Sequence, residues 1–400
     1  MKKGRAILRR TKIFILLLSL LPLPLSSLDF LEWLKAQNPP SWEYEKITPF
    51  VYYKKIFVSE IPLSIHILKV NWNKKIIELE LQKAENGIFG RKTLTEIIED
   101  KIKKGEKVIA GINASFFEED GKPVGLFVDE GIIYTLNNKR SSLIKTTKGK
   151  LIISKSKVEI YLKAGNQKEK IEELNRESSN FDKLNLFNWH YNKKIHIERG
   201  FAGILVKIGN KRFSPTEKVK GYVSEIIREG SILLRDGEVL IVAKESENIL
   251  KNIKVNSPIT FTIKNLYFND DIDFAVTGAP QIVKRGLNFY KGINEGLTEK
   301  FYDTRHPRTG IGITKDGKKI FLIAVDGRQL GLSIGMTLKE LAEFFIKLGC
   351  YNSLNLDGGG STTMWVKGRV VNSPSDPTGE RPISDAILII EKGFPKGKIY

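Results

Sequence analysis

The chain has 400 residues, of which 41% are hydrophobic, so it can bury a large core and wholesale disorder is excluded. The formal net charge of +19 predicts an anionic partner: a phosphate-bearing substrate, an acidic polymer, a membrane surface or a nucleic acid. No dense basic block or nucleic-acid-binding signature is present, which argues against nucleic acid. The single cysteine, Cys350, excludes an internal disulfide and argues against a cysteine-rich zinc site.

The N-terminus has the pattern of a secretory signal. Six cations lie within the first twelve residues, and an apolar run from Ile13 to Leu25 follows, interrupted by two prolines. A membrane-spanning helix needs about 20 apolar residues, so this run is short for a span. We therefore predict a signal peptide over residues 1–27 and an extracytoplasmic location, whether secreted, periplasmic or anchored facing outward. Because an A-x-A cleavage pattern is absent, an uncleaved anchor with N-terminal membrane association is the alternative.

Residues 28–60 contain aromatic residues and prolines without clear periodicity, which indicates a linker or an N-terminal wrap. From residue 61 to 400 the pattern is that of one globular domain. Residues from about 161 to 200 break its rhythm, with many Lys, Glu and Asn, and are expected to form an irregular excursion. Alternating or continuous apolar residues predict strands near 63–70, 76–81, 125–128, 131–134, 150–153, 232–234, 239–243 and 259–263.

Two segments of the chain share one pattern. Capping boxes at 93–96 and 337–340 each open an amphipathic helix, and a glycine and an apolar strand follow. Asn113 and Asp357 come at the end of these strands, each 20 residues after the threonine of its capping box. We hypothesise that the two units are equivalent and present Asn113 and Asp357 at the same end of a shared sheet. The alternative is that the matching offset is chance.

Polar and cationic residues at predicted strand ends form the first two candidate site segments. Asn113 and Ser115 end one strand, where ligands commonly bind, and the following Phe116 and Phe117 are either walls of a sugar site or core residues. The second segment is a short cationic loop before a glycine-containing strand. Its side chains suit an oxyanion or phosphate clamp, although a solvated surface loop is the alternative. The residues of this loop that we select are His306, Arg308 and Thr309.

The third and fourth segments contain the candidate carboxylates. Asp326 and Arg328 follow a fully apolar strand, where they either pair with each other or hold a substrate hydroxyl and a phosphate. Asp357 precedes three glycines, whose backbone permits close approach to a ligand and whose N–H groups form an anion-binding nest. This fourth segment is the most specific local signal in the chain, and its ligand-binding residues are Gly358, Gly359, Gly360, Ser361 and Thr362.

Taken together, these segments resemble the phosphodiester glycosidase family. The resemblance is strongest from about 305 to 390, is recognisable from about 61 and is weak between 155 and 230. Ala114 and Cys350-Tyr351 depart from the family pattern without touching the expected chemistry. The sequences that carry the resemblance are N-A-S-F-F (113–117), R-T-G-I-G (308–312), V-D-G-R (325–328), G-M-T-L-K-E-L-A (335–342), N-L-D-G-G-G-S-T-T-M (355–364) and the tail at 371–386.

The resemblance implies a hydrolase that breaks the bond between an anomeric carbon and a phosphate oxygen, acting on a sugar-phosphate or an anionic glycan of the cell envelope or exopolysaccharide. It places Asp357 first, and Asp326 second, as nucleophile or water-activating base. Arg308, with Arg328 or His306, would hold the phosphate, and Asn113 would bind a sugar hydroxyl.

Three alternatives remain open. No cofactor is required, but a divalent cation could bind to Asp357 and Asp326 instead. A non-catalytic binder of anionic polysaccharide would use the same residues, and a phosphodiesterase would cleave the P–O bond. For the fold we expect a mixed α+β class, with largely antiparallel, curved sheets and a few helices packed on them.

Overall fold

The computed structural model describes residues 30–392, except 137–138, 156, 178–182, 210–212, 214–217, 266–269 and 293. The predicted signal or anchor at 1–27 lies outside these residues. The helices of the described part are α1 (Phe30–Lys35), α2 (Leu94–Lys103), α3 (Glu299–Asp303) and α4 (Leu338–Lys347). The strands are β1 (Glu45–Lys46), β2 (Val51–Val58), β3 (Leu63–Asn71), β4 (Ile77–Lys83), β5 (Val108–Asn113), β6 (Phe127–Asp129), β7 (Ile132–Thr135), β8 (Ser141–Thr146), β9 (Leu151–Lys155), β10 (Val158–Ala164), β11 (Gln167–Ile171), β12 (Glu173–Leu174), β13 (Asn185–Asn188), β14 (Ile195–Ile197), β15 (Phe201–Ile208), β16 (Lys218–Ile227), β17 (Gly230–Ile232), β18 (Glu238–Lys244), β19 (Pro258–Asn265), β20 (Ile272–Thr277), β21 (Gln281–Lys284), β22 (Leu287–Asn288), β23 (Arg308–Thr314), β24 (Lys319–Val325), β25 (Cys350–Asn355), β26 (Met364–Val366), β27 (Arg369–Val370) and β28 (Asp385–Glu391).

Strands dominate the architecture. They account for 47% of the structure and helices for 13%, so the fold is β-rich, and the expected α+β class overstated the helices. The expected curved, antiparallel sheets are confirmed. Among the described strands, only β12 and β13 pair in parallel. No helix of the described residues is both long enough and apolar enough to cross a bilayer.

The described residues form four larger sheets and a short two-stranded sheet of β14 and β17. Sheet 1 has the order β1-β2-β3-β24-β23-β25-β21-β22, and sheet 2 has the order β11-β10-β19-β16-β15-β18-β13-β12. Sheet 3 is β27-β26-β5-β28-β4, and sheet 4 is β7-β6-β20-β8-β9. One large apolar cluster joins residues of all four sheets, so these sheets share a continuous core.

Two regions differ from the sequence expectations. The stretch from 161 to 200, expected to be irregular, contains β11 to β14, and most of them belong to sheet 2. The stretch from 28 to 60, expected to be a linker or wrap, contributes β2 to the interior of sheet 1. Its helix α1 covers the same sheet, with the Phe30 ring 6.1 Å from the Phe344 ring of α4.

The two matched helix–strand units form as predicted, but not in one sheet. Thr93 and Thr337 each cap a ten-residue helix, and both reciprocal capping boxes are present. The strand after α2 is β5 of sheet 3, whereas the strand after α4 is β25 of sheet 1. The shared sheet is therefore wrong. The ends of the two strands nevertheless meet, because sheets 1 and 3 pack together, and this meeting point contains the candidate site.

Candidate active site

Asn113 joins the ends of the two sheets. Its side-chain amide donates to the backbone carbonyl of Asp357 at 2.7 Å, and the Asp357 N–H donates to the Ala114 carbonyl at 3.0 Å. The Asn113 Oδ1 accepts from the Thr309 hydroxyl at 2.9 Å and from the Thr363 N–H at 3.2 Å. Asn113 is buried, and both polar atoms of its side-chain amide have partners within the protein. The geometry therefore favours a role in positioning Asp357 over a direct contact with a sugar hydroxyl.

Asp357 directly precedes the glycine loop and is partly exposed. Desolvation raises the pKa of its carboxyl group to about 7, although the Ser361 hydroxyl, the Arg381 guanidinium and the Gly358 N–H act in the opposite direction. The nearby Asp385 raises it further. A carboxyl group with this pKa exchanges a proton near neutral pH, as a catalytic acid or base must.

Asp385 is a second carboxyl group at the site, and the sequence analysis did not select it. It is buried at the start of β28 and accepts a hydrogen bond from the Ser115 N–H at 2.9 Å. The Ser384 hydroxyl also donates to it. Burial raises the pKa of Asp385 to about 6 despite these bonds. The available signal was its place at the edge of an apolar strand, the same criterion that selected Asn113.

The glycine loop lies against two guanidinium groups. Gly359 has a φ of +60°, and a Cβ built there would be 3.2 Å from both Nη atoms of Arg328. A Cβ on Gly360 would collide with the guanidinium of Arg381. Side chains at these two positions would therefore displace the arginines. Two guanidinium groups side by side suit an anion, although the Arg381 Nε pairs with Asp376 at 2.6 Å and the Gly359 N–H donates to the Pro307 carbonyl at 2.9 Å. Arg381 is a residue that the sequence analysis missed.

Arg328 and His306 form one edge of this site. Arg328 is exposed, has a φ of +61°, and its Nη2 lies 3.1 Å from the His306 Nδ1. Because a guanidinium only donates, the Nδ1 accepts and the hydrogen of a neutral ring is on Nε2. Burial, with the charges of Arg308 and Arg328, lowers the pKa of His306 to about 4. At neutral pH His306 therefore offers a neutral N–H donor.

Arg308 lies beneath the site. Only 2% of it is exposed, and its guanidinium donates to the backbone carbonyls of Met336 (2.9 Å), Phe301 (3.0 Å) and Thr304 (2.7 Å). Burial lowers its pKa to about 10. The Nε and Nη2 donors of Arg308 are thus engaged by the backbone, and the geometry favours a role for Arg308 in holding the loop before β23.

The Asp326 carboxylate is buried and surrounded by hydrogen-bond donors. Its carboxylate accepts from His66 Nε2 at 3.0 Å, the Ser373 N–H at 2.8 Å and the Asn372 amide at 3.1 Å. Burial alone would raise its pKa, but the hydrogen bond and charge of His66, followed by the Ser373 N–H, hold the pKa below the ordinary value. Asp326 is therefore a fixed, ionised group that organises its neighbours. Asn372 also donates to the Thr362 carbonyl at 3.0 Å, which links this cluster to the glycine loop.

The other predicted residues lie around the same loop. Thr309, Ser361 and Thr362 are buried, and the Thr309 hydroxyl, which donates to Asn113, lies 3.2 Å from Thr362 Oγ1 and accepts from it. Phe116 is half-buried, 6.3 Å from the Phe301 ring, and the Arg140 guanidinium lies 5.4 Å from its centroid. Phe116 can thus form a wall beside the site, whereas Phe117 packs against the cluster of α2 and sheet 3.

The described residues contain no group of three or more His, Cys, Asp or Glu side chains arranged to hold a metal ion. Asp326 and Asp357 also have different partners, Asp326 with His66 and Asn372, and Asp357 beside Ser361 and Arg381. A joint cation site for these two carboxylates thus has no further carboxylate or imidazole ligands assembled around it in the described part.

Comparison with known proteins agrees with this geometry. Residues 202–390 match the family described as phosphodiester glycosidase. An 87-residue stretch, 22% of the chain, is 40% identical to the SPbeta prophage-derived uncharacterized protein YomE of Bacillus subtilis, and it covers 13% of that protein. An 81-residue stretch, 20% of the chain, is 38% identical to human N-acetylglucosamine-1-phosphodiester alpha-N-acetylglucosaminidase, and it covers 15% of that enzyme. The matched regions thus span well under a quarter of either relative.

A solved structure shares the fold over most of the chain. A hypothetical protein from Synechocystis superposes with a TM-score of 0.71 at 17% identity, covering 86% of this chain and 63% of the other. The family match includes β23 to β28 and contains Asp326, Asp357 and Asp385, together with both exposed arginines of the anion site. Residues 202–390, just under half of the chain, are thus similar to the phosphodiester glycosidase family.

Proposed function

We propose that the protein hydrolyses a sugar-1-phosphodiester at the bond between the anomeric carbon and the phosphate oxygen. The observation that carries the proposal is the partly exposed Asp357 carboxyl group, whose pKa is raised to about 7, beside a glycine loop flanked by Arg328 and Arg381. This arrangement places an acid–base group next to an anion site. The family match and the name of the human relative support the same reaction.

The division of roles follows from the contacts. Arg328 and the terminal N–H groups of Arg381 hold the phosphate, and the charge that develops as it departs is stabilised there. Phosphate is a weakly basic leaving group and needs little help from a general acid. Asp357, when ionised, acts as nucleophile or activates the attacking water, and Asp385 is the second carboxyl group close to it. Asn113 and Thr309 position the Asp357 backbone.

The substrate is proposed to be a glycan of the cell envelope or exopolysaccharide. The signal-like segment at 1–27 supports an extracytoplasmic location, and the net charge of +19 suits an anionic polymer. Retention at the envelope through an uncleaved N-terminal segment would suit such a substrate.

The deciding experiment measures free reducing sugar released from a panel of sugar-1-phosphodiesters, with N-acetylglucosamine-1-phosphodiester first. Asp357→Asn should lower kcat/KM by about a thousandfold or more, since a nucleophile or base is lost. Asp100→Asn, an exposed carboxylate on α2, is the matched control and should leave the rate unchanged.

Two results would contradict the proposal. In solvent labelled with ¹⁸O, cleavage at the anomeric carbon places the label on the sugar, whereas label on the phosphate would identify a phosphodiesterase. Absence of release from every substrate, with intact folding and retained glycan binding, would identify a non-catalytic binder of anionic polysaccharide.

A further inference from the structure

A second groove lies at the opposite end of sheet 1 from the candidate active site. It has a volume of about 640 Å³ and opens where β3 ends and β24 begins. We call it the lysine–aromatic groove and define it by Phe50, Trp72, Lys74, Lys75, Lys318 and Lys319. The strand β24 runs from Lys319 at the groove to Val325, directly before Asp326. At about 3.3 Å per residue, the two sites are roughly 20 Å apart.

Hydrogen bonds fix the backbone at the two aromatic residues of the groove, Phe50 and Trp72. The N–H of Trp72 donates to the Lys318 carbonyl at 2.7 Å, and the N–H of Asn71 donates to the Phe50 carbonyl at 2.7 Å. Both aromatic side chains remain partly exposed while packing at the edge of the shared core. They therefore offer preformed apolar faces to a ligand, without a cost for ordering them first.

The four lysines of the groove have no carboxylate partner within 4 Å among the described residues, in contrast to Lys83, Lys101 and Lys145 elsewhere. Lys74 Nζ donates only to the Lys148 carbonyl, at 2.9 Å. The one carboxylate of the groove, Asp316, is engaged by the Thr314 hydroxyl and by the N–H of Lys318.

The positive charge extends along sheet 1 beside the groove. Lys69 contacts the rings of Tyr44 and Tyr52, at 4.0 and 4.8 Å from their centroids. Burial and the nearby charge of Lys319 lower the pKa of Lys69. Cations that repel one another and lack carboxylate partners favour an anionic ligand that bridges them.

We infer that the lysine–aromatic groove is a second binding site for a glycan strand that carries phosphate groups, remote from the catalytic carboxylates. Sugar rings pack their C–H faces on Trp72 and Phe50, and the phosphates contact the lysines. A glycan is favoured over a nucleic acid because the chain carries no nucleic-acid-binding signature, while the groove combines aromatic side chains with lysines. The site is independent of turnover at Asp357.

The test is affinity electrophoresis of the full chain carrying Asp357→Asn, in gels containing either yeast phosphomannan or neutral mannan. We expect retardation by phosphomannan, loss of that retardation at high salt, and little retardation by mannan. Because this parent does not turn over, binding is measured even if the proposed hydrolysis fails.

Two substitutions of the groove complete the test. Lys318→Glu with Lys319→Glu should weaken phosphomannan binding about tenfold, since two cations become repulsive. Lys251→Glu with Lys254→Glu makes the same charge change at a distant exposed site and should alter binding less than twofold. Trp72→Ala, checked for native circular dichroism, should weaken binding about fivefold through lost stacking.

Three outcomes would overturn the inference. Equal binding by the parent and the Lys318/Lys319 variant would remove the groove from the interaction. An equal loss in the Lys251/Lys254 variant would show that net charge alone is responsible. Competition by single-stranded poly(dT) at equal phosphate concentration would assign the groove to nucleic acid.

Discussion

Asp326 and Asp357 both lie just after the end of a strand of sheet 1, yet their surroundings shift their carboxyl pKa values in opposite directions. Asp326 receives hydrogen bonds from His66, Asn372 and the Ser373 N–H, and its pKa is lowered. Asp357 is desolvated with fewer compensating donors, and its pKa is raised to about 7. The comparison teaches that the supply of donors, more than burial, decides whether a carboxylate at a strand end is a fixed charge or a reactive one.

The largest expected effect is a loss of stability when Asp326 is replaced. Asp326→Asn removes a buried charge from His66 and should lower the free energy of unfolding by about 3 kcal/mol at pH 7. The lowered pKa means that the stabilisation is present above the ordinary Asp pKa and is lost as the pH falls through the folded value. Urea unfolding measures this, with the exposed Asp316→Asn as a control of little effect. Equal stability of the two variants would contradict the structural role of Asp326.

Arg328 and Arg308, the two arginines of the predicted phosphate clamp, should also differ: one substitution affects catalysis and the other affects stability. Arg328→Gln should reduce kcat/KM about thirtyfold, close to 2 kcal/mol, with unchanged unfolding, because Arg328 is exposed and faces the glycine loop. Arg308→Gln should instead lower stability, because its guanidinium holds three buried backbone carbonyls. Kinetics and urea unfolding of both variants test the pair. The reverse pattern would return phosphate binding to Arg308.

Asp357→Asn should change stability in the direction opposite to Asp326→Asn. A raised pKa means that the folded state prefers the protonated form, so this stability is lost as the pH rises through about 7. Asparagine avoids that loss, and the variant should be about 1–2 kcal/mol more stable than the parent at pH 8 and closest to it at about pH 4, near the ordinary Asp pKa. Urea unfolding at the two pH values gives the difference. A destabilised variant at pH 8 would show that Asp357 is a structural anion.

The smallest expected effect identifies the group whose titration controls the pH dependence of kcat/KM. If ionised Asp357 is required, kcat/KM should rise with pH through about 7. Arg381 lowers the pKa of Asp357, so Arg381→Gln should move this rise upward by about half a pH unit, in addition to its loss of rate. The pH–rate profile of the variant measures the shift. A rise that stays in place would mean that another group titrates.

What the sequence predicted well was local. The capping boxes of α2 and α4, and the polar residues that end their strands, depend on short-range patterns and are present as expected. The sheet to which each strand belongs depends on tertiary pairing, and the shared sheet for Asn113 and Asp357 was wrong. Residues 161–200 were misread because β11 is an edge strand of sheet 2 whose Lys and Glu side chains face solvent.

The site was partly accessible from sequence for the same reason. Asp357 and its glycines form a contiguous signal, so they were selected. Asp385 and Arg381 are far along the chain, and their roles arise from contacts with Ser115 and Gly360 that only the folded molecule creates. Asp326 was selected by its position at a strand end. Its hydrogen bonds come from residues 64–66 and 372–373, which approach it only when the sheets have assembled.

The hydrogen bond from Asn113 to the Asp357 carbonyl joins residues 244 positions apart. Ser115 and Asp385 are joined across 270 positions. The proposed reactive centre therefore assembles only after the last quarter of the chain has been synthesised and has packed against its first third. Hydrolysis would then report completed folding, and a fragment ending before β25 would carry the lysine–aromatic groove but no reactive centre.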